Sequence, residues 1–595
     1  MAASNQQAVT ESGHADGGVS TRRRGPFASR VFREMVLVTT AMCALSVFMT
    51  WPALRDPAHT YPSAQSDPLI LIWAIAWAGH GLVHTPAHVF DGNVFYPAPL
   101  SLAFSDSMLG YAPVRLLGGG PGSVLVDYNL VFVAAPALTG VGGYALARQL
   151  GASPLGAAVA GLGFAFAPWR AAQSGWLHVE STGQLTVSLA MLARGHGLSF
   201  RGRKGPWRPL WVALGWLFAA WQVSIGFQNG LPFGYLLAVI ALAALAWWLL
   251  RGLPRPPWRL VTAELAGGGV FCAVTAFMAT PYLTVARTEA DAVQQTRSLL
   301  EVQTLSPTWR QLLEPPHLIP AWSWLVGGNP GGSPLYLLLP GYVSITLAVI
   351  GLFYSAWLVR WRVALAGGTA IVTALALGTH FLGHGVFGYV FLWRHAPGWA
   401  SDRTPGRLIP FVTLGLVVLA AGAVTRLGGQ FTPAGLRSRA GALRLAAAVA
   451  LLLLVLAEGY SRIPQTTVPP VPAAMKRAPG PLIVLPATYD RAALIWFDKT
   501  VMVWSAITGF PEIGNGASGI KPDSFIYMRK EMRGFPDATS VAYLRSHGFR
   551  SVVVLKDVPP APEKNPDRIP APSLGLRRID MGDSVLYLVE PHPAA

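Results

Sequence analysis

The sequence predicts a polytopic α-helical membrane protein with about eleven transmembrane helices and a small C-terminal α/β extracytoplasmic domain. Three observations predict it. Of 595 residues, 52% are hydrophobic and 12% charged, whereas a soluble domain carries roughly 25% charged residues. The apolar residues gather in blocks of about 20, the length a helix needs to cross roughly 30 Å of hydrocarbon. Lysine occurs seven times, six of them after residue 463, so the composition changes where the apolar blocks stop.

Residues 1–30 are polar, rich in Ser, Gly, Gln and Ala, and hold Arg22, Arg23 and Arg24 without a cleavage site after them. They read as a disordered cytoplasmic tail rather than a signal peptide. Spans are expected at 34–54, 124–147, 154–170, 178–198, 209–227, 231–250, 260–284, 335–358, 363–382, 408–427 and 444–462. With the N-terminus inside, the loops after the even-numbered spans are cytoplasmic. They carry Arg148; then Arg201, Arg203, Lys204 and Arg208; then Arg251, Arg255 and Arg259; then Arg360 and Arg362; then Arg426, Arg437, Arg439 and Arg444. All five are basic, as the positive-inside rule requires, and a shift by one helix breaks the pattern. The net charge of +17 therefore reflects topology in an inner membrane, and no nucleic-acid partner is expected. Spans 154–170 and 178–198 read equally as a tight pair that does not fully cross.

Three long segments, 55–123, 285–334 and 463–595, fall outside. In the first, 67–84 and 105–117 read as amphipathic helices lying at the interface. The domain organisation is a tail at 1–30, a bundle at 31–463, a Pro-rich linker at 464–481 and an α/β domain at 482–595. In that domain 482–486, 551–555 and 584–590 have the β-branched bias of short buried strands. Asp537 is placed to cap a helix ending near Gly548.

Candidate chemistry lies on the outer side. Asp67, at the start of 67–84, fits either a helix cap or a general base, since low-dielectric surroundings raise a carboxyl pKa. Asp106 is the second acid of the same loop, with the same two readings, and 91–93 reads as a turn. Arg170, His178 and Glu180 put charge where a membrane penalises it, which marks either function or an Arg170–Glu180 ion pair. Arg394, Arg403 and Arg407 bring three guanidinium groups to the outer end of one span, and arginine forks suit phosphate or lipid headgroups. His80, His84 and His88 recur every four residues, but Pro86 ends their helix before the third. Cys43 and Cys272 sit in separate apolar blocks, and neither a disulfide nor a zinc site is expected. There is no GxxxxGK[ST] loop, no GxSxG elbow and no DxD pair in the outer loops, so nucleotide chemistry has no site.

Several strings carry a resemblance: Asp67-Pro68-Leu69 leading to Trp73 and Trp77; Asn93-Val94-Phe95-Tyr96-Pro97 before Ser105-Asp106; Arg170 through His178; Arg403-Thr404-Pro405-Gly406-Arg407; and Asn515-Gly516-Ala517-Ser518-Gly519. With the long first outer loop and the outer tail, the chain resembles the GT-C superfamily of membrane glycosyltransferases, near its mannosyltransferase-like and YfhO-like bacterial branches. The resemblance implies transfer, with inversion, of a sugar from a polyprenyl-phosphate donor to a glycan, lipid or protein acceptor at the outer face. Asp67 would be the catalytic base, and Asp106 stands as the second catalytic candidate of the same loop. Arg170, His178, Glu180, Arg403 and Arg407 would bind substrate, with Arg403 or Arg407 on the lipid phosphate and membrane lipids around the bundle. The family's commoner paired acids are here a single isolated Asp. No cofactor is expected, and a divalent metal finds no support in the sequence. Two other classes stay open: a lipid or polysaccharide transporter or flippase, and a non-catalytic envelope scaffold whose tail binds a glycan. Internal repeats would favour the former, and none is found; an outer tail that binds glycan without transfer would mark the latter.

Overall fold

Apolar blocks become helices because in hydrocarbon every backbone N–H and C=O must be satisfied within the segment. The computed structural model describes residues 30–117, 120–202, 205–252, 256–322, 324, 334–428, 438–486, 492–556 and 568–590. The expected tail, apart from Arg30, lies outside the described residues, as do Arg203, Lys204, Arg255 and Arg437 of the basic loops. Eight helices among those described are long and apolar enough to cross a membrane: Arg30–Met49, Val124–Leu150, Pro154–Ala172, Phe227–Arg251, Trp258–Thr288, Val359–Ala376, Pro405–Leu427 and Arg439–Gly459. Two shorter apolar helices, Pro209–Ile225 and Tyr342–Phe353, occupy two more of the expected stretches. The remaining stretch, 178–198, is broken into Leu177–Glu180 and Gly183–Gly195. The chain is thus a multi-pass membrane protein, with Val124–Leu150 at the centre packing on Arg30–Met49, Pro154–Ala165 and Gly183–Gly195.

The C-terminal region is α/β as expected. Its four-stranded sheet runs Leu482–Leu485, Ser551–Leu555, Ser584–Val589, Leu576–Asp580, the first pair parallel and the others antiparallel. Asp537 caps Ala538–Ser546 by accepting from the Ser540 N–H at 2.8 Å, and Ser540 returns a bond to the Asp537 backbone. Such a cap contributes about 1 kcal/mol.

One expectation is corrected. Asp67–His84 is not an amphipathic surface helix: its residues from Pro68 through Gly79 are buried on all sides. The reason is coverage, because helix Ala492–Ile507 of the C-terminal region lies along it. Similarly, 105–117 holds a 3-10 helix, Leu109–Leu117, half-buried against Asp67–His84.

A single apolar core runs from Trp73, Phe95 and Tyr128 into Leu482, Val553 and Tyr587. Asn93, expected only in a turn, fastens the two regions: Trp73 Nε1 donates to its Oδ1 at 2.9 Å, and its Nδ2 donates to Ser505 Oγ at 3.1 Å and Pro511 O at 2.7 Å. The backbone continues the seam, with Ile513 N–H donating to Asn93 O, Phe95 N–H to Asn515 O and Tyr96 N–H to Ile513 O. Two strings of the resemblance, 93–97 and 515–519, therefore pack on each other. Gly516 is required there, since a Cβ would stand 2.6 Å from the Phe95 ring. A second tie pairs Thr60–Tyr61 antiparallel with Thr466–Thr467.

Candidate active site

A cavity of about 600 Å³ lies between the bundle and the C-terminal region. Six cationic residues, Arg297, Arg403, Arg407, Lys499, Lys521 and Arg529, line it with four acids, Asp67, Asp106, Asp402 and Asp498. Of the sequence-predicted residues, Asp67, Asp106, His178, Arg403 and Arg407 converge on it.

Asp67 opens its helix immediately before Pro68, but it is not a cap: Ser66 holds that position and makes no side-chain cap bond. The carboxylate turns instead to tertiary partners. Lys499 Nζ lies 2.5 Å from Oδ1, and Trp176 Nε1 donates to Oδ2 at 2.8 Å. Burial pushes its pKa up, but Lys499, the Trp176 bond and nearby Arg407 outweigh this and hold it below the ordinary carboxylate value. The raised pKa expected from low-dielectric surroundings is therefore reversed by a partner 432 residues away.

Asp106 also fails to cap; the 3-10 helix begins three residues later. Tyr282, on Trp258–Thr288, braces its turn by accepting from the Ser107 N–H at 3.0 Å and donating to Ser105 O at 2.9 Å. Gly226 lets the backbone pass, since a Cβ there would stand 2.2 Å from Asp106 Oδ1. His178 Nε2 lies 3.6 Å from Asp106 Oδ2, and its buried Nδ1 has no hydrogen-bond partner among the described residues.

The two predicted phosphate ligands differ. Arg403 is engaged, its guanidinium 2.5 Å from Glu301 Oε1. Arg407 donates once, to Gln228 Oε1 at 3.1 Å, and its Nε has no partner among the described residues. It lies over Trp176 with 5.2 Å to the ring centroid. Arg394 does not line the cavity.

Arg170 and Glu180 do not line it either. Arg170 is buried, donating to Phe164 O at 2.9 Å, Glu180 O at 2.7 Å and Thr182 Oγ1 at 2.8 Å, and stacking on Trp169. It meets the Glu180 backbone carbonyl, not a carboxylate ion pair. These donors turn the chain between Pro154–Ala165 and Gly183–Gly195, where the backbone leaves helical form.

Sequence reasoning missed Arg297, Asp498, Lys499, Lys521 and Arg529. Arg297 makes no hydrogen bond or ion pair among the described residues; burial, then Arg403, push its pKa down. Burial pushes Asp498 up to about 6, against Asn515 and Arg529. Asp402, which accepts from the Thr404 N–H at 3.0 Å, is likewise raised by burial. A signal existed for Lys499: an Asp-Lys pair interrupts an apolar helical run in a lysine-poor chain. Arg297 has none. Among the described residues no three His, Cys, Asp or Glu side chains gather as a metal site would need; His80 stacks on His84 and Phe510, and His88 bonds Asp91.

No protein-family model and no curated protein matches the chain. Among solved structures it is similar to the oligosaccharyltransferase AglB of Archaeoglobus fulgidus in complex with an inhibitory peptide and a dolichol-phosphate, at 12% identity over 88% of this chain and 69% of that one, TM-score 0.40. It is similar also to that organism's oligosaccharyltransferase tethered to an acceptor peptide, at 13% identity over 89% and 69%, TM-score 0.42. ArnT from Cupriavidus metallidurans in the apo state matches at 13% identity over 94% of this chain and 98% of that one, TM-score 0.34.

Proposed function

We propose that the protein is an inner-membrane glycosyltransferase of GT-C type that moves a sugar, with inversion, from a polyprenyl-phosphate donor to a glycan, lipid or protein acceptor. In this reading the N-terminus is cytoplasmic and the cavity and C-terminal region face outward. The observation that carries it is the convergence of Asp67 and Asp106, from the first outer loop, with Arg407, about 300 residues on, on one cavity with an uncommitted Arg297. The acceptor oxygen forms its bond to the anomeric carbon as the bond from that carbon to phosphate oxygen breaks, the electron pair leaving on the phosphate. The acceptor proton passes to Asp67, which is ionised at neutral pH, with Asp106 and His178 across the cavity orienting the acceptor. A carboxylate takes the proton and guanidinium groups stabilise the departing phosphate.

Arg297 and Arg407 are the phosphate ligands in this proposal, because Arg403 already holds Glu301 and Arg407 retains free donors. The test is transfer by the purified full chain in detergent from a panel of radiolabelled polyprenyl-phosphate sugars. We expect Arg297→Ala to raise the donor KM about 10- to 100-fold, the worth of one charge-assisted hydrogen bond, and Arg403→Ala to raise it far less. Equal losses would return Arg403 to the phosphate; no transfer from any donor by the wild type would sink the reading.

A further inference from the structure

The acid at the mouth of the first outer loop is controlled from the other end of the chain. Lys499, on helix Ala492–Ile507, is buried, its side chain 8% exposed. Its Nζ reaches two groups, Ser66 Oγ at 2.8 Å and Asp67 Oδ1 at 2.5 Å. The helix is held in place by the Asn93 seam, in which Ser505, on the same helix, accepts from Asn93 Nδ2. Lysine is an unusual choice at such a depth: an ammonium loses much hydration there unless a carboxylate compensates.

The groups that face Asp67 come from four elements. Lys499 belongs to Ala492–Ile507, Trp176 and His178 to the turn before Gly183–Gly195, Arg407 to the start of Pro405–Leu427, and Tyr61 to the short strand paired with Thr466–Thr467. Trp176 is a neutral donor. Arg407 and His178 act across space without touching the carboxylate, and Tyr61 adds no cation. Lys499 is thus the cation in contact with Asp67.

We infer that Lys499 is a positioning residue of this site, supplied by the C-terminal region to hold Asp67 as an oriented carboxylate and so to set the acid limit at which the site works. One oxygen is fixed by the ammonium and the other by the indole, leaving the second lone pair of each open to the cavity. Without the ammonium, burial is the largest single influence left on Asp67, and burial favours the protonated form. A protonated Asp67 has no lone pair to take an acceptor proton in exchange, so the working range contracts from its acid side. The inference rests on the transfer reading only for its kinetic consequence; the protonation of Asp67 is measurable without any substrate.

The experiment uses the full chain in detergent and carbodiimide, which reacts through the protonated carboxyl. Labelling at Asp67 is followed by mass spectrometry across the acid range in the wild type, Lys499→Met and Lys499→Arg, beside the pH profile of transfer. The expected result is a labelling midpoint higher by about one pH unit or more in Lys499→Met, a tenfold or greater gain in proton affinity. Lys499→Arg keeps the midpoint close to wild type, and the acid limb of transfer moves with the label. Should Lys499→Met fail to fold, Lys499→Gln, which retains a donor without the charge, reads the same midpoint. An unchanged midpoint in the uncharged variant, with transfer reduced equally at every pH, overturns the inference and leaves Lys499 a packing residue. A shifted midpoint in a protein that transfers no sugar upholds the inference while the glycosyltransferase reading fails.

Discussion

Asp67→Asn is expected to lower sugar transfer by about 10²- to 10⁴-fold, the usual worth of a positioned acid–base group. The substitution is nearly isosteric, so its amide oxygen still accepts from Trp176 or Lys499, but it cannot take a proton at neutral pH. Its cost to folding is of a different kind. Lys499 is left buried against a neutral group, and a buried ammonium without its carboxylate costs more than the roughly 1–3 kcal/mol of an unpaired neutral group. The two effects separate in measurement: turnover of the donor reads the first, and the thermal midpoint in detergent reads the second. Asp106→Asn in the same assay decides between the two acids. If Asp67→Asn retains turnover while Asp106→Asn loses it, the base is Asp106, oriented by His178, and Asp67 is a structural anion for Lys499. The pH dependence has a definite sign. Asp67 is held below its ordinary value, so the stability its pairing gives is present above the ordinary carboxylate pKa and is lost as pH falls through the lowered one.

Arg170→Ala is expected to be strongly destabilising, by about 3–5 kcal/mol, because buried acceptors left without their donor cost about 1–3 kcal/mol each and truncation of the side chain leaves a cavity. Three acceptors, Phe164 O, Glu180 O and Thr182 Oγ1, lose the guanidinium together, with Glu180 O keeping only the Thr182 donors, and a gap opens over Trp169. Arg170→Lys will not restore it, because one ammonium cannot serve three acceptors spread over both ends of a turn as a planar guanidinium does. The check is thermal unfolding in detergent together with the yield of folded protein. An Arg170→Ala protein that melts like the wild type yet transfers no sugar would put Arg170 back among the substrate ligands.

The bundle was legible because membrane helices are specified locally: length, apolar content and the charge of the next loop all lie within about 30 residues of one another. The capped helix at Asp537 and three strands of the C-terminal sheet were legible for the same reason. Leu576–Asp580 was not, since Leu-Arg-Arg-Ile-Asp is an edge strand with a charged outer row, a common device for protecting an edge and a weak sequence signal. The helix Asp67–His84 was misread although its pattern held the clue: Leu69 through Ala78 has no polar face, and a helix that is apolar all round is a buried one. What sequence could not supply was the identity of the cover. In the site, Asp67, Asp106 and His178 stood out as titratable groups in an apolar setting, but the cation that holds Asp67 ionised lies 432 positions away. Arg403 and Arg407 look alike in sequence; only Glu301 and Gln228 distinguish them.

The seam through Asn93 has a consequence for how the chain is made. The apolar helix that follows Asp67 leaves the ribosome early, and its cover, Ala492–Ile507, is separated from it by more than 400 residues, as the span of 432 between Asp67 and Lys499 records. At roughly 5–20 residues per second, translation leaves that helix uncovered for tens of seconds while nine or so further segments are inserted. During that interval its apolar surface lacks this cover, and protease sensitivity between 67 and 117 in pulse-labelled chains should vanish only once Ala492–Ile507 has emerged. The cavity is thus completed long after its first acid has been made, so that a chain not yet grown to residue 499 carries Asp67 without the lysine that pairs with it.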